Sequence, residues 1–288
     1  MSSIKKVLVV GGTGMLGTPV THALVDAGYE VSAIVRGDAK RLPKSVRSIP
    51  GNVFDAASVR PALEGQDAVY LNLAIQPTDK ETDRLTEREG LRVLLDAARL
   101  AGLKRVAALS PLVKDMEGRD GFSWWVFREK QKAEQAIVAS GLPYTIFRAS
   151  TFLENLNGGM RSGSAISVAG KGRHPMWYIA GDDYGRMVAR ALALPASANK
   201  VYVAQGPEPM LADQAARRFI AAYGRESLKL QSAPLGVLKA VGWFSPRMRF
   251  IATMLDALNR YPEQFQGQST WNELGRPTTT VEVYARSL

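Results

Sequence analysis

An apolar, largely β-branched run, Val7-Leu8-Val9-Val10, ends abruptly in Gly11-Gly12-Thr13-Gly14-Met15-Leu16-Gly17 and passes at once into a helical pattern. A strand that turns directly into a helix needs positive φ at the corner, which glycine adopts without steric penalty. Gly14 removes a side chain where an anion must approach the backbone, and Gly17 lets the helix pack closely on the sheet. The amides opening the helix at Gly14 to Leu16 face outward, with the positive end of the helix dipole behind them. The segment therefore predicts the first unit of a parallel βαβ sheet, with a dinucleotide pyrophosphate held at Gly11, Thr13, Gly14, Met15, Leu16 and Gly17.

The rest of the chain continues that pattern. Lys6 to Val10 reads as the first strand and Met15 to Ala27 as its crossover helix, closed by Gly28. Strands are expected at Glu30 to Val35, Val46 to Pro50, Ala68 to Leu73, Arg105 to Leu109 and Tyr144 to Phe147. Helices are expected at Glu81 to Ala101, where Leu91, Leu94, Leu95 and Ala98 recur at helical spacing, and at Trp124 to Ser140. After Arg148 the regularity drops. Residues 152–175 are rich in Gly, Ser and Asn and read as loops with one short helix. Asp182 to Leu194 is a further helix and Val201 to Ala204 a further strand; the remainder is mainly helical, with a last helical patch near Thr280. Leu235 to Phe244 is apolar but short, and reads as a core or interface helix. The expected fold is α/β, a Rossmann-type doubly wound parallel sheet with a small, mainly helical C-terminal substrate lobe. Residues 1–150 form the dinucleotide-binding core, with 176–206 returning to it; 151–175 and 207–288 form the lobe.

Composition narrows the chemistry. No cysteine is present, which removes disulfides, thiolate metal sites and a cysteine nucleophile. The two histidines, His22 and His174, are far apart, so no metal site is expected. No apolar stretch approaches the length of a bilayer span and the start lacks a secretory pattern, so the expected compartment is cytoplasmic, with no membrane as partner. A net charge of +10 raises nucleic acid as a partner. The basic residues are scattered, however, and show neither a basic helix nor an aromatic-basic stacking pattern. A small-molecule substrate is the expected partner.

The one basic cluster is Arg36, Lys40, Arg41, Lys44 and Arg47. An NAD site places Asp or Glu at the end of the second strand for the ribose 2′-hydroxyl. Here that position is Arg36, whose guanidinium can pair bidentately with a 2′-phosphate, so NADP(H) is the expected cofactor; an ordinary exposed arginine is the alternative. Asn52, in Gly51-Asn52-Val53-Phe54-Asp55, lies where a polar side chain can meet the adenine edge, although loop polarity explains it too.

At this point the chain resembles the NmrA-like family, an atypical, extended branch of the short-chain dehydrogenase/reductase superfamily. The resemblance is carried by the glycine turn, the Gly51–Asp55 loop, Lys130-Gln-Lys-Ala-Glu134, Ser140-Gly-Leu-Pro-Tyr-Thr-Ile-Phe-Arg148, Phe152-Leu-Glu-Asn155, Asp182-Asp183, and Gly206-Pro207-Glu208. It implies a Rossmann core with a C-terminal substrate lobe. Members include NADPH-dependent reductases of quinones and phenylpropanoids, and redox sensors that bind the dinucleotide without turnover.

The superfamily's usual catalytic pair is Tyr-x-x-x-Lys with an upstream Ser. Lys130 matches the lysine, but four residues earlier stands Val126, not tyrosine. Ser110 occupies the place of the serine. Three readings of Lys130 stay open: it binds the nicotinamide ribose, it acts as the general acid as in the phenylpropanoid reductases, or it is a solvated helix lysine beside Arg128 and Lys132. Phe152 and Asn155, after the sixth strand, and Trp124 are candidate substrate contacts, with core packing of Trp124 against Phe127 as the alternative. His174 is a candidate proton donor or a plain loop histidine. The leading expectation is a reductase of a small quinone or conjugated or aromatic carbonyl. A redox sensor that binds a protein partner comes second, and a nucleotide-sugar epimerase or dehydratase, which needs the missing tyrosine, comes last.

Overall fold

Seven parallel strands form the central sheet of the computed structural model, which describes residues 3–169 and 172–288. Met1, Ser2, Gly170 and Lys171, and with the last two a part of the expected 152–175 loop, lie outside the described residues. In chain order the first half comprises β1 (Lys6–Val10), α1 (Gly17–Asp26), β2 (Glu30–Val35), β3 (Arg47–Pro50), α2 (Ala56–Leu63), β4 (Ala68–Leu71), α3 (Leu91–Leu100), β5 (Arg105–Pro111), α4 (Trp125–Ala139) and β6 (Tyr144–Ala149). The second half comprises α5 (Glu154–Asn157), β7 (Arg161–Ser162), β8 (Ala165–Ala169), α6 (Gly181–Ala193), β9 (Lys200–Ala204), α7 (Ala212–Ala222), β10 (Lys229–Ala233), α8 (Leu235–Val241), α9 (Pro246–Arg260), α10 (Gln268–Leu274) and α11 (Val281–Ser287).

The strand order is β3-β2-β1-β4-β5-β6-β9, so the winding reverses between β1 and β4. That reversal opens a crevice at the carboxyl ends of the strands, where ligands bind in such sheets. Helices cover both faces, which is why β1 and β4 are continuous apolar runs. On one side α1 and α6 pack over β1, β2 and β6 through Val20, Leu24, Tyr184 and Val188. On the other, α2, α3 and α4 meet the sheet through Val59, Leu91, Leu94, Leu95 and Ile137. No helix among the described residues is long and apolar enough to cross a membrane.

Several elements depart from expectation. The helix expected from Met15 begins at Gly17, because the glycine turn takes up the two preceding residues. α2 was not apparent from periodicity: it is short and contains Pro61, and its start is marked only by Asp55, whose side chain accepts from the Ala57 amide at 2.9 Å. The helix expected over Glu81 to Ala101 is shorter, a π-helical turn at Thr86–Gly90 followed by α3. Outside the main sheet, β7, β8 and β10 form a second sheet, and β8 pairs with β10 in the register Ala165↔Lys229. Strands this short, paired across so much sequence, leave no local periodicity to read. α8, finally, contains no buried residue, which rules out the core reading of the Leu235 to Phe244 segment.

Candidate functional site

The crevice starts at the glycine turn. Gly11 has φ +83°, and a Cβ there would overlap the Asn72 carbonyl at the end of β4. A Cβ at Gly17 would overlap the Gly11 carbonyl, so both glycines are demanded by the turn itself. Gly14 is different. It is exposed, its amide closes the turn on the Gly11 carbonyl at 3.1 Å, and a Cβ would press only lightly, 3.3 Å from the Gly11 carbonyl oxygen. The amides of Thr13, Met15 and Leu16 donate to no group among the described residues, and no side chain caps α1. Such a set of open donors at a helix N-terminus fits a pyrophosphate.

Arg36 follows β2 and is exposed. The nearby Asp38 carboxylate turns to Lys40, 3.0 Å away, rather than to the guanidinium. Arg36 therefore retains its fork of donors for an outside anion. Asn52 is partly committed to the fold: its Oδ1 accepts from the Phe54 amide at 3.1 Å, shaping the turn into α2.

At the carboxyl ends of β4 and β5 lie the groups expected to do chemistry. Lys130, on α4, is not a solvated helix lysine; its side chain is 16% exposed. Its Nζ donates to the Glu87 carboxylate and, at 3.4 Å, to the Leu73 carbonyl just beyond β4. An ammonium has three donors, so one N–H remains for a ligand. Glu87 sits on the π-helical turn, 4% exposed, and burial pushes its carboxyl up from the usual range while Lys130 pulls it down. Ser110, near the end of β5, is buried with its Oγ unpartnered, as is Glu87 Oε2. A cavity of about 30 Å³ bounded by Leu73, Glu87, Ser110 and Lys130 joins them.

Glu87 is a candidate site residue that sequence reasoning missed. No motif marks it, and it lies on the π-helical turn, from which it meets Lys130. Glu134, in the same motif as Lys130, serves the fold instead. It takes the Arg148 guanidinium bidentately (Nη2 to Oε2 at 2.7 Å, Nε to Oε1 at 3.3 Å) and the buried Lys114 at 3.1 Å, locking α4 to β6. Val126 is 3% exposed and packs with Phe122, Trp124 and Phe127, so no hydroxyl faces the crevice from that turn of α4.

Two candidate substrate contacts are core residues. Phe152 is buried with its ring edge-on to Tyr184 at 5.3 Å between centroids. Trp124 stacks edge-on against Phe127 (5.0 Å) and Phe250 (4.9 Å), because α9 folds over the start of α4. Asn155 is half-buried at the start of α5, its amide bonded to the Phe152 carbonyl. His174 lies away from Lys130, on a cleft of about 780 Å³ bordered by Arg173, Leu235, Lys239 and Arg260.

Comparison with known proteins agrees with this geometry. Residues 11–195 match the model of a family described as NAD(P)H-binding. The chain is 28% identical over 224 residues to a (4-alkanoyl-5-oxo-2,5-dihydrofuran-3-yl)methyl phosphate reductase of Streptomyces griseus, covering 76% of this chain and 74% of that one. It is 26% identical over 269 residues to the photosystem II assembly factor Ycf39 of Synechocystis, covering 88% and 78%. In fold it matches the NADPH-dependent quinone oxidoreductase of Escherichia coli complexed with NADPH, with a TM-score of 0.74 at 21% identity over 98% of this chain and 99% of that one. The glycine cradle, the sheet order and these likenesses converge: the chain belongs to the NAD(P)H-binding family, with the fold of the quinone oxidoreductase.

Proposed function

We propose that this chain is an NADPH-dependent reductase of a small quinone or a conjugated or aromatic carbonyl. The observation that carries the reading is the Lys130 ammonium, fixed at the carboxyl edge of the sheet by Glu87 and the Leu73 carbonyl with one donor left over. When bound, the nicotinamide cofactor supplies hydride to an electron-poor acceptor. The amides of Thr13, Met15 and Leu16 bind the pyrophosphate, with Gly11, Gly14 and Gly17 making room; Arg36 binds the 2′-phosphate and Asn52 borders the adenine. Lys130 bonds the nicotinamide ribose and gives a proton to the acceptor oxygen. Ser110 orients that oxygen. Glu87 positions Lys130 and balances its charge, replacing the missing tyrosine's part in ordering the site. Residues 1–150 with 176–206 carry the cofactor, and 151–175 with 207–288 close over the substrate; β9 completing the sheet beside β6 supports that division.

The test is NADPH oxidation across a panel of quinones and enones. Lys130→Met should lower kcat/KM about 100-fold or more, the usual contribution of a positioned acid. Glu87→Gln should move the pH profile as well as the rate. A Lys130→Met enzyme that only binds NADPH more weakly, with kcat intact, would reduce the lysine to ribose binding.

Val126 favours a second reading, a redox sensor that binds a protein partner according to the NADPH/NADP⁺ ratio. Tight NADPH binding without turnover on any acceptor, together with partner binding that changes with cofactor, would replace the reductase by the sensor.

A further inference from the structure

α8, with the sequence Leu-Gly-Val-Leu-Lys-Ala-Val, has no buried residue. A helix so apolar normally lies in a core or at an interface. The turn that follows it is more apolar still: Trp243 is 78% exposed and Phe244 90%, with Val237 at 54% and Val241 at 45% beside them. This tip is not loosely held. Arg249 donates to the carbonyls of Gly242 (3.1 Å) and Trp243 (3.4 Å), and the Ser245 Oγ caps α9 at the Met248 amide. α9 in turn is anchored in the molecule by Phe250 on Trp124 and by the buried Ala252 and Ala257. The two rings are thus presented outward on a braced helical hairpin.

Its charge is one-sided. From Ser227 to Leu255 there is no acidic residue, while Lys229, Lys239, Arg247 and Arg249 are basic. Lys239 is satisfied within the fold by Asp256 at 3.0 Å, and Arg247 and Arg249 remain exposed next to the rings. Aromatic side chains flanked by arginines match a surface that is apolar beneath and anionic above. A second copy of the chain matches it poorly. A two-fold contact through this tip would set Arg247 and Arg249 against themselves. Two rings also offer roughly 400 Å² at most, where a stable protein interface takes about 800 Å² per partner. A bilayer needs no shape complement.

We propose that the α8–α9 tip docks this protein on anionic lipid surfaces, Trp243 and Phe244 entering the head-group layer and Arg247 and Arg249 lying on its phosphates. The expectation of no membrane partner rests on span length, which does not bear on so short an interfacial element. Docking here would also bring the mouth of the cleft bordered by Leu235 and Lys239 to the lipid surface.

The experiment is co-sedimentation of the full chain with vesicles of phosphatidylcholine alone and of phosphatidylcholine mixed with phosphatidylglycerol, with tryptophan emission read in parallel. Binding to the mixed vesicles only, with a blue shift that Trp243→Phe removes, is the expected result. Trp243→Ser/Phe244→Ser should abolish binding, and Arg247→Gln, which leaves the Arg249 brace in place, should weaken it roughly five-fold, the equivalent of one basic residue at about 1 kcal/mol. Both variants change exposed residues, and circular dichroism checks that they fold. Absence of binding, equal binding to neutral vesicles, or binding retained by Trp243→Ser/Phe244→Ser would overturn the proposal. A concentration-dependent dimer lost in that same variant, without vesicle binding, would assign the tip to a second copy instead.

Discussion

In the proposed reading, single side chains decide which dinucleotide this crevice prefers. The turn at Gly11 to Gly17 would contact what NADH and NADPH share, and so would not discriminate between them. Arg36 would, since its donors are committed to no neighbour among the described residues and the nearby carboxylate is taken by Lys40. Arg36→Ala should weaken NADPH by about 1–3 kcal/mol, the range for a charge-assisted hydrogen bond, and leave NADH nearly unchanged. Titration of both cofactors by protein fluorescence measures this, and an equal loss for the two would refute the 2′-phosphate role. At this scale the sequence was legible wherever a residue type is forced by geometry. Gly11 and Gly17 were readable because a Cβ at either overlaps backbone. Lys130 was readable from its spacing, but its partner was not: Glu87 lies 43 residues away and is brought in by tertiary packing. The exposure of Phe152 and Trp124 was equally out of reach, since an aromatic residue near a sheet edge has the same local pattern whether it lines a cleft or fills a core.

Elements meet most tightly where α1, α5 and α6 converge. Gly181 and Gly185 let α6 approach α1 until a Cβ at either would press on Pro19 or Ala23. Glu154, opening α5, fills the remaining angle: its Oε1 accepts from the Gly181 amide at 2.7 Å while Oε2 is buried without a partner. Burial, with Asp182 and Asp183 close by, raises its carboxyl to about 7. The folded state therefore binds this proton more tightly than the unfolded chain. Its contribution to stability is complete below the unfolded glutamate value near 4.5 and is lost as pH rises through about 7. Glu154→Gln keeps an oxygen for the Gly181 amide and removes the charge. Urea unfolding should find the variant more stable than the parent at about pH 8, by up to about 3 kcal/mol, with the gap closing toward about pH 4.5. A gap that does not change with pH would show that the carboxylate is already relieved by solvent. Periodicity had revealed α1 and α6 themselves, because each carries one long apolar face. It could not reveal how closely they pack, and it lost α2 and the small β7-β8-β10 sheet, whose elements are too short to establish a period.

Across the whole molecule, residues 207–288 are tied to the sheet and α6 at many points, among them Glu273 to Lys200 and Tyr202 and Trp271 to the Gln205 carbonyl, and Asp183 holds the segment that leads into α11. It sits 3% exposed in the first turn of α6, on the core side. Its carboxylate accepts from the amides of Thr278 (3.2 Å) and Thr279 (2.9 Å) in the C-terminal segment, and pairs with Arg186. Thr280 then caps α11, and Arg218 joins that helix to α7 by bridging Glu282 and Glu208. The chain end thus leaves α10, where Arg190 holds the Leu274 carbonyl at 2.8 Å, and is next fastened at one carboxylate before α11. Removing that carboxylate takes the acceptor from two backbone amides, and since Thr278 is exposed and Thr279 half-buried, water makes up part of the loss, leaving about 1 kcal/mol per bond. Asp183→Ala should therefore open the segment from Thr278 through α11 locally while leaving the sheet intact, because none of the sheet's hydrogen bonds depends on it. Hydrogen exchange should show faster exchange of the Thr278 and Thr279 amides and of α11, with β1 and β4 unchanged; Asp183→Asn, which keeps an acceptor oxygen, should show a smaller effect. If exchange instead accelerated uniformly through β1 and β4, the carboxylate would be holding the cooperative fold rather than a separable latch. The C-terminal helix would then have to be counted as part of the Rossmann core's own stability, not as a cover laid over it.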